Sequence, residues 1–255
     1  MRALTWLAIV LILSTPALAR KPRPLRSSSI SQRKRLNINP LLTPGGTVEA
    51  EWGGLYSFNT SSLLLPSVLK YTPQALPVEF SAAFDSLESY PEDGLRVQHF
   101  SQSMLFTALA SAKEGKYFDL AVAPQATVFL RGDSGVRLGG LLLARLDAAG
   151  NSMGFSINWS AATRPTDTNP AGALDVGAGY SRNLPGRFRK LSPHVNYTLE
   201  KSSGVAHLGI TLEGIEYQAT SRFAVDFSEQ HIRSRRLETD HQALVGVTWN
   251  FGRLR

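Results

Sequence analysis

The sequence predicts an all-β protein closed into an antiparallel transmembrane β-barrel, with 12 strands the first expectation and 10 or 14 the neighbouring counts. Three observations carry this. Past the first 40 residues no helical period of useful length occurs, while alternation of apolar with small or polar residues recurs almost everywhere. The chain opens with an export signal. It contains no cysteine, so neither a disulfide framework nor a thiolate site is available, and strand pairing and burial must hold it together.

The N-terminus comes first. Arg2 precedes an apolar run from Leu4 to Leu13, and Ala17-Leu18-Ala19 supplies the small-x-small pattern that signal peptidase cuts. The run is shorter than the roughly 20 residues a spanning helix needs. Residues 1–19 therefore read as a signal peptide cleaved after Ala19, which exports the chain; together with the amphipathic strands that follow, this points to the cell outer membrane of a Gram-negative bacterium over a soluble periplasmic β-protein.

Residues 20–40 read as a basic, disordered periplasmic arm. "RKPRPLRSSSISQRKRL" offers Pro, Ser and Arg in place of a core. Arg2 and the stretch from Arg20 to Arg35 hold eight of the 27 basic residues and no acidic one. That leaves 19 basic against 20 acidic residues from Leu36 onward, so the formal charge of +7 belongs to the leader and arm. It gives the folded part no footprint for nucleic acid.

Residues 41–255 then read as the barrel. Alternating segments fall near 46–57, 62–73, 77–87, 96–111, 118–131, 135–147, 151–162, 171–182, 191–200, 205–217, 221–230 and 239–251. Met153, Phe155, Ile157 and Trp159 oppose Gly154, Ser156, Asn158 and Ser160; Val78, Phe80, Ala82 and Phe84 oppose Glu79, Ser81 and Asp85. In the same way Ala206, Leu208, Ile210 and Leu212 are set against His207, Gly209, Thr211 and Glu213. An even count brings both termini to one side, with the tight "DAAGN" and "YQATS" turns there and "SLESYPEDGLR", "ATRPTDTNPA" and "EQHIRSRRLETD" at the other.

A soluble barrel would turn its apolar face inward. Here the large aromatics recur at strand ends as well as strand middles, as girdles at two bilayer interfaces require. Trp52, Trp159, Tyr180, Trp249 and Phe251 are the expected interface aromatics. Within the strands just quoted no Arg or Lys falls on the apolar face, where it would cost about 2–4 kcal/mol at mid-bilayer. The wet face becomes a lumen, and its charged residues are the candidates for contact with a solute: Glu49, Glu51, Glu79, Arg137, Arg145, Asp175, His194, Glu200, His207, Glu213, Arg222 and Asp226. The expected partners are outer-membrane lipids, small solutes and the outer-membrane assembly machinery.

"TPGGTVEAEWGGLYSFN", "VLKYTPQALPVEFSAAF", "SPHVNYTLEKSSGVAHLGITLEGIEYQ" and the closing "ALVGVTWNF" carry a family resemblance. They resemble the outer-membrane channels linked to the meta-pathway of phenol degradation, whose opening strand likewise runs from Pro-Gly into alternating acidic and apolar residues. The resemblance implies a channel for small solutes, hydrophobic or aromatic compounds among them. It implies no residue roles.

Other chemistry finds little support. There is no Gly-rich phosphate loop and no metal-ligand spacing, and neither a metal nor another cofactor is expected. The five histidines include His194 and His207, which the alternation places on adjacent wet faces near Glu200 and Glu213, but no motif singles out a serine beside them. Catalysis is therefore not expected. A lumen-facing lipid hydrolase stays as a lesser alternative beside a barrel plugged by its own charges that serves as an anchor. Arg-Gly-Asp at 131–133 falls in a turn and reads as chance. The last strand, "ALVGVTWNF", should pair with the first near "TVEAEW", and its aromatic end resembles the C-terminal signal read during outer-membrane assembly.

Overall fold

Alternation along the chain becomes a ring of strands in the computed structural model of the protein, which describes residues 41–90, 96–99, 103–130, 135–165, 170–204, 207–234 and 239–253. The strands are β1 (Thr47–Ser57), β2 (Leu63–Thr72), β3 (Val78–Tyr90), β4 (Arg96–His99), β5 (Ser103–Lys113), β6 (Phe118–Phe129) and β7 (Val136–Ala148). They continue as β8 (Asn151–Ala162), β9 (Gly172–Arg182), β10 (Leu191–Ser202), β11 (Leu208–Gln218), β12 (Phe223–Ser234) and β13 (Asp240–Arg253). Residues 1–40, read from sequence as leader and arm, and the Arg-Gly-Asp at 131–133 lie outside the described residues.

All pairings are antiparallel, and all but two join neighbours in sequence: β1 pairs with β13, and β3 with β5. β4 folds back on the far end of β3, while the near half of β3 pairs with β5. The segment expected as one strand over 96–111 is therefore a short flap followed by a barrel strand. With β13 paired to β1 and β2 to β3, the other 12 strands close into a barrel. The last strand meets the first in the expected place, from Thr47↔Arg253 to Ser57↔Gln242, with one irregularity between Val48 and Glu49. Both termini of the barrel consequently lie at one end. Closure leaves the 12 barrel strands without an open edge, which only a closed sheet achieves.

The two faces are the inverse of those of a water-soluble barrel. Trp52↔Val247 and Ala50↔Trp249 lie on the outer face at the β1–β13 seam, and Glu51↔Thr248 and Glu49↔Asn250 on the inner. Outer residues such as Trp159, Phe227 and Phe251 are more than half exposed, whereas Glu49, Glu51 and Thr248 are fully buried. Transferring ~100 Å² of such an aromatic from water to hydrocarbon yields about 2.5 kcal/mol, so this surface favours a bilayer.

β11 departs from the expected facing. Its sequence carries two conflicting phases: Leu208, Ile210 and Leu212 are apolar at even positions, Ile215 and Tyr217 at odd ones. A strand without a bulge keeps only one phase. Register with β12 sets Ile215 opposite Phe227 and Tyr217 opposite Val225, and these pairs take the outer face. Ile210 and Leu212 turn inward and are buried, and Glu213 turns outward, exposed. The two outward pairs, each joining apolar side chains across the strands, outweigh the turning inward of Ile210 and Leu212.

Glycines let the wall's larger side chains lie flat. Gly140 is opposite Trp159 on the outer face, and a Cβ there would stand 2.4 Å from the indole Cζ2. On the inner face a Cβ at Gly139 would meet the backbone oxygen of Trp159 at 2.1 Å, a contact no rotamer change relieves. Gly139→Ala should destabilise the barrel by about 1–3 kcal/mol, read as a lower temperature of loss of the compact, fast-migrating form on semi-native gels.

Candidate functional site

The barrel interior is built by alternation: each strand sends every second side chain inward, and the inward positions hold most of the charge. At the terminus-bearing end, Glu49 and Glu51 lie one pleat apart on β1, with Lys70 of β2 opposite Glu49. The Lys70 ammonium donates to Glu49 Oε1 at 3.1 Å and to Glu51 Oε1, and all three side chains are fully buried. Glu79, inward on β3, accepts the Thr43 N–H at 2.8 Å, and the Thr43 and Thr72 hydroxyls are 2.5 Å apart. Thr43 is thus inside the wall. Leu42 packs on Leu109, Ala121, Ala123, Leu141 and Leu143, inward residues of β5, β6 and β7. The chain threads the interior before it enters β1.

Further round the ring the acids stand in register-opposed pairs. Asp175 of β9 faces Glu200 of β10, and Asn158 of β8 donates to Asp175 Oδ2 at 3.0 Å. Glu216 of β11 faces Asp226 of β12. The inward arginines are bound to the wall near strand ends. Arg137 donates to Ser160 Oγ at 2.8 Å and to the Pro170 carbonyl at 2.6 Å; Arg145 pairs with Asp147 at 2.8 Å and donates to Ser152 Oγ at 3.0 Å. Among the described residues, inward acids (Glu49, Glu51, Glu79, Asp85, Asp119, Asp147, Asp175, Glu200, Glu216, Asp226 and Asp240) outnumber inward bases (Lys70, Arg137 and Arg145). Low-dielectric walls around such a lumen focus its field and raise the local concentration of cations.

Nine of the sequence-designated lumen residues therefore share the interior: Glu49, Glu51, Glu79, Arg137, Arg145, Asp175, His194, Glu200 and Asp226. Three do not. Glu213 is on the outer face for the reason of phase given above. His207 lies exposed in the connection before β11, and Arg222 lies exposed in the turn before β12, because these strands begin at Leu208 and Phe223, three and two residues later than the expected segments 205–217 and 221–230. The structure also separates His194 from His207: His194 is opposite Gly214, far along β11 from its start at Leu208.

Sequence reasoning missed Lys70, whose signal was its inward phase between Leu69 and Tyr71. It also missed Ser228, which nothing local marks. Ser228 Oγ stands 3.3 Å from His194 Nε2, across Gly214, where a Cβ would fall 2.8 Å from that nitrogen. The separation exceeds the reach of about 2.6–3.2 Å expected between an activated nucleophile and its base.

The five aromatics expected at the interfaces all point outward. Trp249 and Phe251 lie near the terminus-bearing end, in edge contact with Phe223 (5.5 Å to Trp249) and Trp52 (6.5 Å to Phe251). Tyr180 is near the same end of β9, and Trp159 toward the opposite end of β8.

This architecture has solved counterparts. The chain is similar to the KdgM porin over 80% of its length and 99% of that protein's, at 10% identity and a TM-score of 0.55. It is similar to the NanC porin over 78% and 98%, at 9% identity and 0.58. The fold is that of a porin. At this identity the likeness extends to the fold alone. No family model matches the chain, and no curated protein matches it.

The buried Lys70 cluster in this porin-like wall gives a direct prediction. Removing the ammonium from between two buried carboxylates should cost about 3–5 kcal/mol. Lys70→Met should therefore lower the unfolding midpoint in denaturant strongly, and adding Glu51→Gln should restore part of it in a double-mutant cycle.

Proposed function

We propose that the protein is an outer-membrane channel for passive diffusion of small solutes, exported by a signal peptide at residues 1–19 and seated in the membrane by the aromatic-flanked outer face. The observation that carries this reading is the pairing of an apolar exterior with a charged, mainly acidic interior in one closed 12-stranded wall.

The register-opposed acids favour cationic and neutral solutes over anions. This distinguishes the proposal from an anionic substrate such as the oligogalacturonate named for one KdgM complex. The motifs shared in style with the phenol-degradation channels add uncharged hydrophobic or aromatic compounds to the solutes proposed. In planar bilayers under a KCl gradient, the protein should give discrete openings whose reversal potential reports a preference for K⁺. Asp175→Asn with Glu200→Gln should reduce that preference. A preference for Cl⁻ would contradict the reading.

A second reading, a lumen closed by its own chain, is favoured by one observation: Leu42 and Thr43 occupy the interior, with Ala121 and Leu143 fully buried. Under it the basic arm at 20–40 would supply counter-charge to the acidic lumen. The two readings part in the same bilayers. A folded protein that is silent until residues 20–40 are deleted is a closed barrel, and one that conducts at full length is an open channel.

Assembly is proposed to use the C-terminal strand as its signal, with Phe251 as the recognised aromatic. Phe251→Asp should lower the amount of heat-modifiable barrel recovered from outer membranes, and unchanged recovery would count against that role.

A further inference from the structure

The last hairpin carries a group of side chains that the channel does not use. His231 of β12 and His241 of β13 are register partners on the outer face, with Nδ1 atoms 2.9 Å apart. Glu229 lies one pleat before His231 on the same face, its Oε1 3.6 Å from His231 Nε2 and 3.8 Å from His241 Nδ1. One ligand atom from each of the three falls within 4.8 Å of the others. Glu213 stands opposite Glu229 on the neighbouring strand, also outward.

We propose that Glu229, His231 and His241 form a binding site for a divalent transition-metal ion of the Zn²⁺, Ni²⁺ or Cu²⁺ class. Two imidazole nitrogens on a tetrahedral ion at about 2.0 Å stand about 3.3 Å apart, so the two rings need to part by only a few tenths of an ångström. Glu229 closes the third side, and the remaining positions are open to water or Glu213. Two nitrogen donors select this class over Mg²⁺ and Ca²⁺, which take oxygen ligands.

The height of the site on the wall suits it. From Phe251 to His241 the chain runs 10 residues along one strand. At ~3.3 Å per residue and ~40° tilt that is roughly 25 Å along the axis, the thickness of the apolar band of an outer-membrane barrel. The site thus sits at the outer polar edge of the band, accessible to ions, where it ties the last two strands together. Glu213 and Glu229 at register-opposed positions would repel one another without a cation between them.

The test uses untagged protein purified in detergent micelles and titrated with ZnCl₂ and, separately, CoCl₂. One Zn²⁺ per chain is expected, with Co²⁺ producing visible d–d absorption bands and Mg²⁺ in excess failing to displace either. His231→Ala and His241→Ala should each weaken binding about tenfold or more and abolish the Co²⁺ bands, while His207→Ala, in an exposed turn, should leave both intact. Semi-native gel mobility checks that each variant is folded. Absence of binding by the wild type, or binding unchanged in the folded His231→Ala/His241→Ala double variant, would overturn the proposal.

Discussion

The ladder from Thr47↔Arg253 to Ser57↔Gln242 joins the first strand to the last, and every other property of the wall depends on it. A sheet with an edge cannot sit in hydrocarbon, since each unpaired N–H or C=O there costs several kcal/mol. Once the ring is closed the backbone is satisfied internally, and side chains alone decide which medium each face prefers. That is why Trp249 and Phe251, costly on a soluble surface, are stabilising where they lie. It is also why Glu49, Glu51, Lys70 and Glu79 are buried on the inner face.

An interior of this kind has its own requirement. Carboxylates gathered in a narrow space repel one another, and the structure meets this in two ways. Lys70 is placed between Glu49 and Glu51, and neutral donors such as Asn158 and the Thr43 amide reach Asp175 and Glu79. The arginines are held by Ser160, Pro170, Asp147 and Ser152 near strand ends. What remains along the β9–β12 arc is a net negative lining, and the proposed preference for cations follows from that distribution rather than from any single residue.

Much of the fold was legible because strand alternation is local. Met153 to Ser160 reads off its two faces without any knowledge of its neighbours, and the β1–β13 seam follows from parity once the strands are counted. Legibility failed where a neighbour decides. β11 carries two apolar phases, and only its register with β12 determines that Glu213 faces out. His231 and His241 lie 10 residues apart, and nothing in either segment reveals that the hairpin brings them opposite one another. Ser228 approaches His194 across an intervening strand. The folding back of β4 on β3, which turns one expected strand into two, likewise depends on pairing and not on pattern.

The claim that the greasy face meets lipid and the charged face meets water is tested most directly by a spin-label scan along β8, which the absence of native cysteine makes straightforward. Residues 153–160 would be replaced by cysteine one at a time, labelled, and placed in lipid vesicles, with relaxation measured in the presence of oxygen and of a water-soluble nickel chelate. A period-2 alternation is expected, with oxygen accessibility maximal at Met153, Phe155, Ile157 and Trp159 and nickel accessibility higher at the positions between. Oxygen and nickel maxima in the opposite phase, or apolar positions accessible to neither reagent, as in a sheet packed over a dry core, would contradict it.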